Sequence, residues 1–182
     1  ISAALTFDIE HNFGSRGIKI NYSAVEPFLR KIGTITERKN IPVTLFVQGN
    51  MIEKFVGLLQ KLQGYHEIGL HGYAHELWGD KKWFLKDSPS SLKEKEKLLN
   101  CGIKHFIDND LRRPVSFRTP NLVINADTLK LLENYGFYVD SSAPSYYGIL
   151  PIPFKPFGPK SRLMSIPVTV NPIPRYRAKY LV

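Results

Sequence analysis

Short apolar runs alternate along this 182-residue chain with longer stretches whose apolar residues recur every three or four positions. Residues 3–7 form the first run, which ends at Asp8 and has the length of a buried strand. Residues 23–39 follow with helical spacing at Val25, Phe28, Leu29, Ile32 and Ile35, and Ser23 with Glu26 fits a capping box. Residues 42–47, rich in β-branched and aromatic side chains, predict a second strand. Residues 51–62 predict a second amphipathic helix, closed by Gly64. Residues 67–70 predict a third strand running into His71, and residues 90–107 a third helix. Residues 115–117 predict a fourth strand leading to Arg118. Residues 126–135 read as a helix closed by Gly136, residues 137–139 as a fifth strand leading to Asp140, and residues 163–170 as a sixth strand.

Strand alternating with helix implies parallel strands joined by helical crossovers. In such folds functional groups gather at the carboxyl ends of the strands. Asp8, His71, Arg118 and Asp140 all follow directly after a predicted strand, so the pattern places four polar candidates at one end of the sheet. Residues 143–174 break the alternation with eight prolines and read as a long ordered loop around one strand. Its aromatics Tyr146, Tyr147, Phe154 and Phe157 are expected to pack the loop down, with stacking on a sugar ring as the other reading.

Composition narrows the picture. A hydrophobic fraction of 43% excludes a disordered chain and suits one domain over residues 1–182. No apolar run reaches the ~20 residues of a membrane-spanning helix. No signal peptide is visible at the start, which favours a cytoplasmic setting. The single cysteine, Cys101, excludes an internal disulfide and a Cys-rich zinc site, and reads as a buried inert thiol. The net charge of +9 is spread along the chain, and Lys93, Lys95 and Lys97 alternate with Glu94 and Glu96 as on an exposed helix face. No nucleic-acid motif accompanies the charge, so no nucleic-acid partner is expected.

Two pairs of residues carry the candidate chemistry. His71 and His75 are four apart and can face the same way on a helical turn, and imidazole suits zinc and similar metals. Alone, two unrelated histidines are the default reading, but this pair comes straight after an apolar strand. Asp8 and Glu10 are two apart, so an extended backbone points both to one side and Ile9 to the other. Two crowded carboxylates repel unless something positive compensates, and a metal does so. The other reading is a strand end with ordinary surface acids.

Taken together, these segments resemble the polysaccharide deacetylases, carbohydrate esterase family four. The resemblance rests on Thr6-Phe7-Asp8-Ile9-Glu10, on residues 43–47, on residues 66–75 with the histidine pair, on Phe117-Arg118-Thr119-Pro120, and on residues 135–142. It implies a distorted parallel barrel of the (β/α)7 type with a metal at its mouth. The predicted strands number one fewer, so the barrel is expected to be incomplete at the C-terminus. Carried over residue by residue, Asp8 matches the general base, and His71 and His75 match the histidine ligands. Arg118 matches the arginine that pairs with the catalytic aspartate, and Asp140 the acid that holds this arginine. The usual second aspartate ligand is replaced by Ile9, and Glu10 fits the variant in which the acidic ligand comes one residue later.

The resemblance further implies a divalent metal, zinc first, with cobalt, nickel or iron compatible with the donors. It implies an N-acetylated polysaccharide or oligosaccharide as substrate. Two departures stand out: Asn121 occupies a position that is usually tyrosine, and no histidine follows His105 to supply the family's general acid. Three other readings follow. One is a carbohydrate-binding relative without turnover, one a hydrolase of small C–N substrates, and the third a metal-dependent phosphoesterase, which leaves Arg118 and Asp140 unexplained.

Overall fold

A computed structural model describes residues 4–11, 21–83, 85, 87–145 and 152–169. Six parallel strands form the main sheet: β1 (Thr6–Ile9), β2 (Thr44–Val47), β3 (Glu67–Leu70), β4 (Ser116–Phe117), β5 (Val139–Asp140) and β7 (Met164–Ser165). They lie in chain order, β1-β2-β3-β4-β5-β7, so every crossover steps to the next position in one direction. That is the winding of a barrel wall rather than of a doubly wound sheet, whose order reverses at a switch point. Among the described residues no strand closes β7 onto β1, and the structure is a mixed α/β fold with a mostly parallel sheet.

Four helices cross between these strands: α1 (Val25–Lys39), α2 (Ile52–Leu62), α3 (Leu92–Asp108) and α4 (Ala126–Asn134). Apolar periodicity sets the face each one buries. Val25 and Leu29 of α1 cover Ile9 of β1, and Phe55, Leu59 and Leu62 of α2 join the same core. Burying each such side chain contributes on the order of 1.5–3 kcal/mol.

Helix termini differ from the sequence expectation at two places. Ser23 does not cap α1: the N-cap is Ala24, with no side-chain bond, and Ser23 N instead donates to Asn21 Oδ1 at 2.8 Å. The reciprocal capping box belongs to α3, where Ser91 and Glu94 exchange bonds across the first turn. Asn125 caps α4 by accepting from Thr128 N.

The predicted sixth strand is divided. Pro167 has no N–H to donate to a ladder, and the chain there passes from β7 to β8 (Val168–Thr169). β8 leaves the main sheet and pairs with β6 (Pro144–Ser145). Residues 146 and 147 and those from 170 onward lie outside the described residues. Phe154 and Phe157 are 45% and 39% exposed, and Lys130 Nζ of α4 lies over the Phe157 ring at 5.1 Å from its centroid. Cys101 is half-buried and unpaired. No helix among the described residues is long and apolar enough to cross a membrane.

Candidate metal and acyl-transfer site

The strand register gathers the candidates at one end of the sheet. Asp8 lies beside Phe46, Leu70 beside Phe117, and Phe117 beside Asp140, which lies beside Ser165. Asp140 is thus the last residue of β5 rather than the residue after it.

Thr6 and Asp8 alternate with Phe7 and Ile9, so they share one face of β1. Both reach Arg118, which follows β4. Arg118 Nη1 donates to Asp8 Oδ1 at 2.7 Å and Nη2 to Thr6 Oγ1 at 2.9 Å. Nε donates to Ser141 O at 2.9 Å and Nη2 to Ser141 Oγ at 2.8 Å. The guanidinium carbon sits 4.3 Å from the Phe46 ring centroid, on its face. Arg118 is 3% exposed, so a buried cation with four hydrogen bonds stands beside a carboxylate at the surface.

Asp140 is held in a different cage. Its Oδ1 accepts from Ser142 N at 3.1 Å and Ser142 Oγ at 2.5 Å, and its Oδ2 from Ser165 Oγ at 2.8 Å. Burial pushes its carboxyl up, and the serine bonds and the charge of Arg118 oppose that only in part. The hydrogen bonds that hold Arg118 on this side come from Ser141, so Asp140 reaches the arginine through its charge and through the backbone of the next residue. Ser142 Oγ also accepts from Thr119 N at 2.9 Å, which ties the turn after Arg118 to the same cage. Asn121, in that turn, has φ 62°, a left-handed value that asparagine tolerates.

Glu10 meets the two histidines. Its Oε2 is 3.1 Å from His75 Nε2 and 3.5 Å from His71 Nε2. This oxygen is buried, and no well-directed hydrogen bond reaches it. His71 is fixed from behind, because its Nδ1 donates to Arg118 O at 3.0 Å. A neutral His71 therefore turns the lone pair of Nε2 toward a carboxylate, an arrangement that repels unless a cation or a proton lies between. Burial pushes the Glu10 carboxyl up, but its contacts with His71 and His75 more than reverse this and hold it at about 2. Burial pushes the His75 ring down, and the close approach and charge of Glu10 reverse that too, leaving it above its usual value.

Among the described residues, no three His, Cys, Asp or Glu side chains stand as a ready-made metal cluster; Glu10 is in direct contact with the ring nitrogens. The chemistry of the three donors nonetheless fits a divalent metal. Two ligands each ~2.0–2.2 Å from a tetrahedral zinc stand roughly 3.3–3.6 Å apart; Glu10 stands 3.5 Å from His71 and, slightly closer than that, 3.1 Å from His75.

The histidines do not share a helical turn, which corrects the geometry expected from their spacing. Residues 71–78 form a bent loop with φ 58° at Gly72 and 67° at His75. A Cβ on Gly72 would meet Pro120 Cδ and Trp78 Nε1 at 2.9 Å each. Glu76 holds the bend: its Oε1 accepts from Tyr73 N at 2.7 Å and Trp78 Nε1 at 2.8 Å, and its Oε2 accepts from Ala74 N at 2.6 Å.

Sequence reasoning passed over Glu76, Ser141, His11 and Gln48. His11 and Gln48 face each other, with Nδ1 donating to Oε1 at 3.2 Å, and the His11 ring packs edge-on against His75 at 5.5 Å. Gln48 had the same signal as Asp8 and His71, a polar residue directly after an apolar strand. Asp8, Glu10, His11 and Phe28 border a cavity of about 280 Å³. A larger one, about 580 Å³, lies at the opposite end of the strands, beside Pro42, Glu67 and Arg112, and holds none of the candidate groups.

The polysaccharide deacetylase family model matches residues 1–139, and the chain belongs to that family. A peptidoglycan deacetylase-like protein of Gibberella zeae is 32% identical over 101 residues, 55% of this chain and 27% of its own. A Mycobacterium smegmatis protein assigned to the polysaccharide deacetylases superposes with a TM-score of 0.69 at 26% identity, covering 91% of this chain and 58% of its own. A CE4 family pseudoenzyme from Bacillus anthracis shares the fold at 15% identity, with a TM-score of 0.57 over 74% of this chain and 40% of its own. The chain thus spans little more than half of the first solved relative and about a quarter of the curated one.

Proposed function

We propose that the protein removes N-acetyl groups from an amino-sugar polymer or oligosaccharide, with a divalent metal held by Glu10, His71 and His75. The observation that carries this reading is the convergence of one buried carboxylate oxygen and two imidazole nitrogens beside an Asp8–Arg118 pair. Family membership supports the reaction class, and the names of the relatives support a sugar polymer as substrate.

When bound there, a divalent metal supplies Lewis-acid activation of a water and of the acetamide carbonyl. The donors are borderline in softness, and zinc fits them best. Asp8 accepts the proton of the attacking water, and its free oxygen is the group placed for this. Arg118 orients Asp8 through Nη1 while Ser141 and Thr6 hold the guanidinium in plane. Asp140 and its serines keep the turn at Thr119 in register, so that the backbone N–H of Asn121 donates to the developing oxyanion. Such a donor is worth ~3–4 kcal/mol in comparable sites. Protonation of the leaving amine completes the reaction.

The test is release of acetate from chitooligosaccharides, from peptidoglycan fragments and from small acetamides by zinc- or cobalt-reconstituted protein. Metal-dependent release supports the reading, and its absence on every substrate removes catalysis from the account. A sugar titration that gives binding with no acetate release identifies instead a site that holds sugar without turning it over.

A further inference from the structure

Tyr73 lies midway between His71 and His75 in sequence, and its side chain meets His105 of helix α3. Its ring fills a notch against Gly49, where an added Cβ would come within 2.7 Å of Tyr73 Cδ2. Its hydroxyl is 3.2 Å from His105 Nε2 on α3, and His105 Nδ1 is 3.0 Å from Glu53 Oε1 on α2. A neutral imidazole with its proton on Nδ1 satisfies both contacts, donating to Glu53 and accepting from Tyr73. The backbone follows the same path, since Gly49 N donates to Gly72 O at 3.1 Å and Asn50 N to Tyr73 O at 3.0 Å.

A tyrosine that only filled space would leave its hydroxyl to water. Here it ends a carboxylate–imidazole–phenol chain that joins three elements. The loop it holds needs an outside restraint, because His75 has φ 67°, a value that non-glycine residues adopt at a cost. The first turn of α2 also reaches His75 by a second route. The ring of Phe55 packs on Tyr22 at 6.5 Å, Tyr22 on His11 at 6.5 Å, and His11 on His75 at 5.5 Å.

We propose that Glu53, His105 and Tyr73 form a latch that sets the position of the His75 ring, which makes His105 a positioning residue of the site although it touches neither metal nor substrate. The role assigned to His75 rests on the metal reading above; the latch itself concerns only the loop.

Two measurements test it on the full chain: zinc affinity by competition titration, and the His75 ring signals in a 1H–15N imidazole spectrum of the metal-free protein. His105→Ala weakens zinc binding about tenfold or more, within the range for groups behind a ligand, and it moves the His75 signals. His105→Gln restores most of both, because its amide donates to Glu53 and accepts from Tyr73. Tyr73→Phe keeps the ring in its notch, removes only the hydroxyl, and shows the same direction of change even where His105→Ala fails to fold. Zinc binding in the wild type with unchanged affinity and unchanged His75 signals in His105→Ala and Tyr73→Phe overturns the latch and leaves the metal reading standing. Absence of zinc binding in every form, with His75 signals that still respond, overturns the metal reading and leaves the latch standing.

Discussion

Arg118 Nη1 and Asp8 Oδ1 are 2.7 Å apart although 110 positions separate them in sequence. Arg118 is buried and Asp8 has a third of its side chain exposed, so the arginine is the fixed member and the aspartate the accessible one. Asp8→Asn therefore keeps the metal and loses on the order of 10²–10⁴ in kcat, the usual contribution of a general base. Acetate kinetics and zinc content measured on one sample check this; loss of zinc along with activity makes Asp8 a ligand instead.

Arg118→Lys keeps a positive charge but cannot reproduce the four bonds of the guanidinium fork. Ser141 O and Thr6 Oγ1 lose their charged donors, which lowers stability by on the order of 2 kcal/mol. Chemical denaturation measures that loss, and a variant as stable as the wild type contradicts the bonding pattern.

In the metal-free protein the Glu10–His75 contact stabilises the fold over a defined pH window. The pKa of His75 is raised, so its contribution is fully present below 6.5 and fades as pH rises through the raised value. Glu10 is held at about 2, so its contribution is present above 4.5 and fades as pH falls through about 2. The pair is complete between 4.5 and 6.5, and His75→Ala flattens the stability profile around that window. Because His75 must lose its proton to bind a metal, zinc binding releases a proton at pH values below the raised pKa. Calorimetry in buffers of different ionisation heat detects the release, and a buffer-independent heat at pH 6 counts against it.

Glu76 accepts three hydrogen bonds from its own loop. Glu76→Ala leaves Trp78 Nε1 without its acceptor beneath a fully buried ring, at roughly 1–3 kcal/mol. It also loosens His75, so zinc affinity falls with stability. Glu76→Gln retains one carbonyl oxygen and lies between the two.

Lys95 is 4% exposed and donates to Thr128 Oγ1 at 2.9 Å, with burial pushing its pKa down. Lys95→Met removes a buried charge at the loss of its attraction to Asp127 and Asp80, and it raises stability by on the order of 1 kcal/mol at neutral pH. The wild type gains on the variant as pH rises from the depressed pKa of Lys95 toward 10.5, where the lysine folds uncharged. Denaturation at two pH values shows whether the gap closes.

Much of this site is readable from local rules. The two-residue spacing of Asp8 and Glu10 and the position of Arg118 after a strand follow from strand geometry. The histidine spacing was also readable, but not its form. A four-residue spacing suggests a helical turn, and only Gly72 and the acceptor Glu76 show why the chain bends instead. Ser141 escaped notice because half of its hold on Arg118 is a backbone carbonyl, which any residue supplies. The capping box moved from Ser23 to Ser91 for the same kind of reason: both sequences permit it, and the packing of each helix start decides. The split of the last predicted strand was written in Pro167, whose missing N–H ends a ladder.

The most direct test of the central claim is the anomalous diffraction signal of zinc-loaded crystals. The account predicts one peak ~2.0–2.2 Å from Glu10, His71 and His75, with Asp8 bound to Arg118 and outside ligand distance. A peak coordinated by Asp8 in place of Glu10, or no peak beside the two histidines, contradicts it.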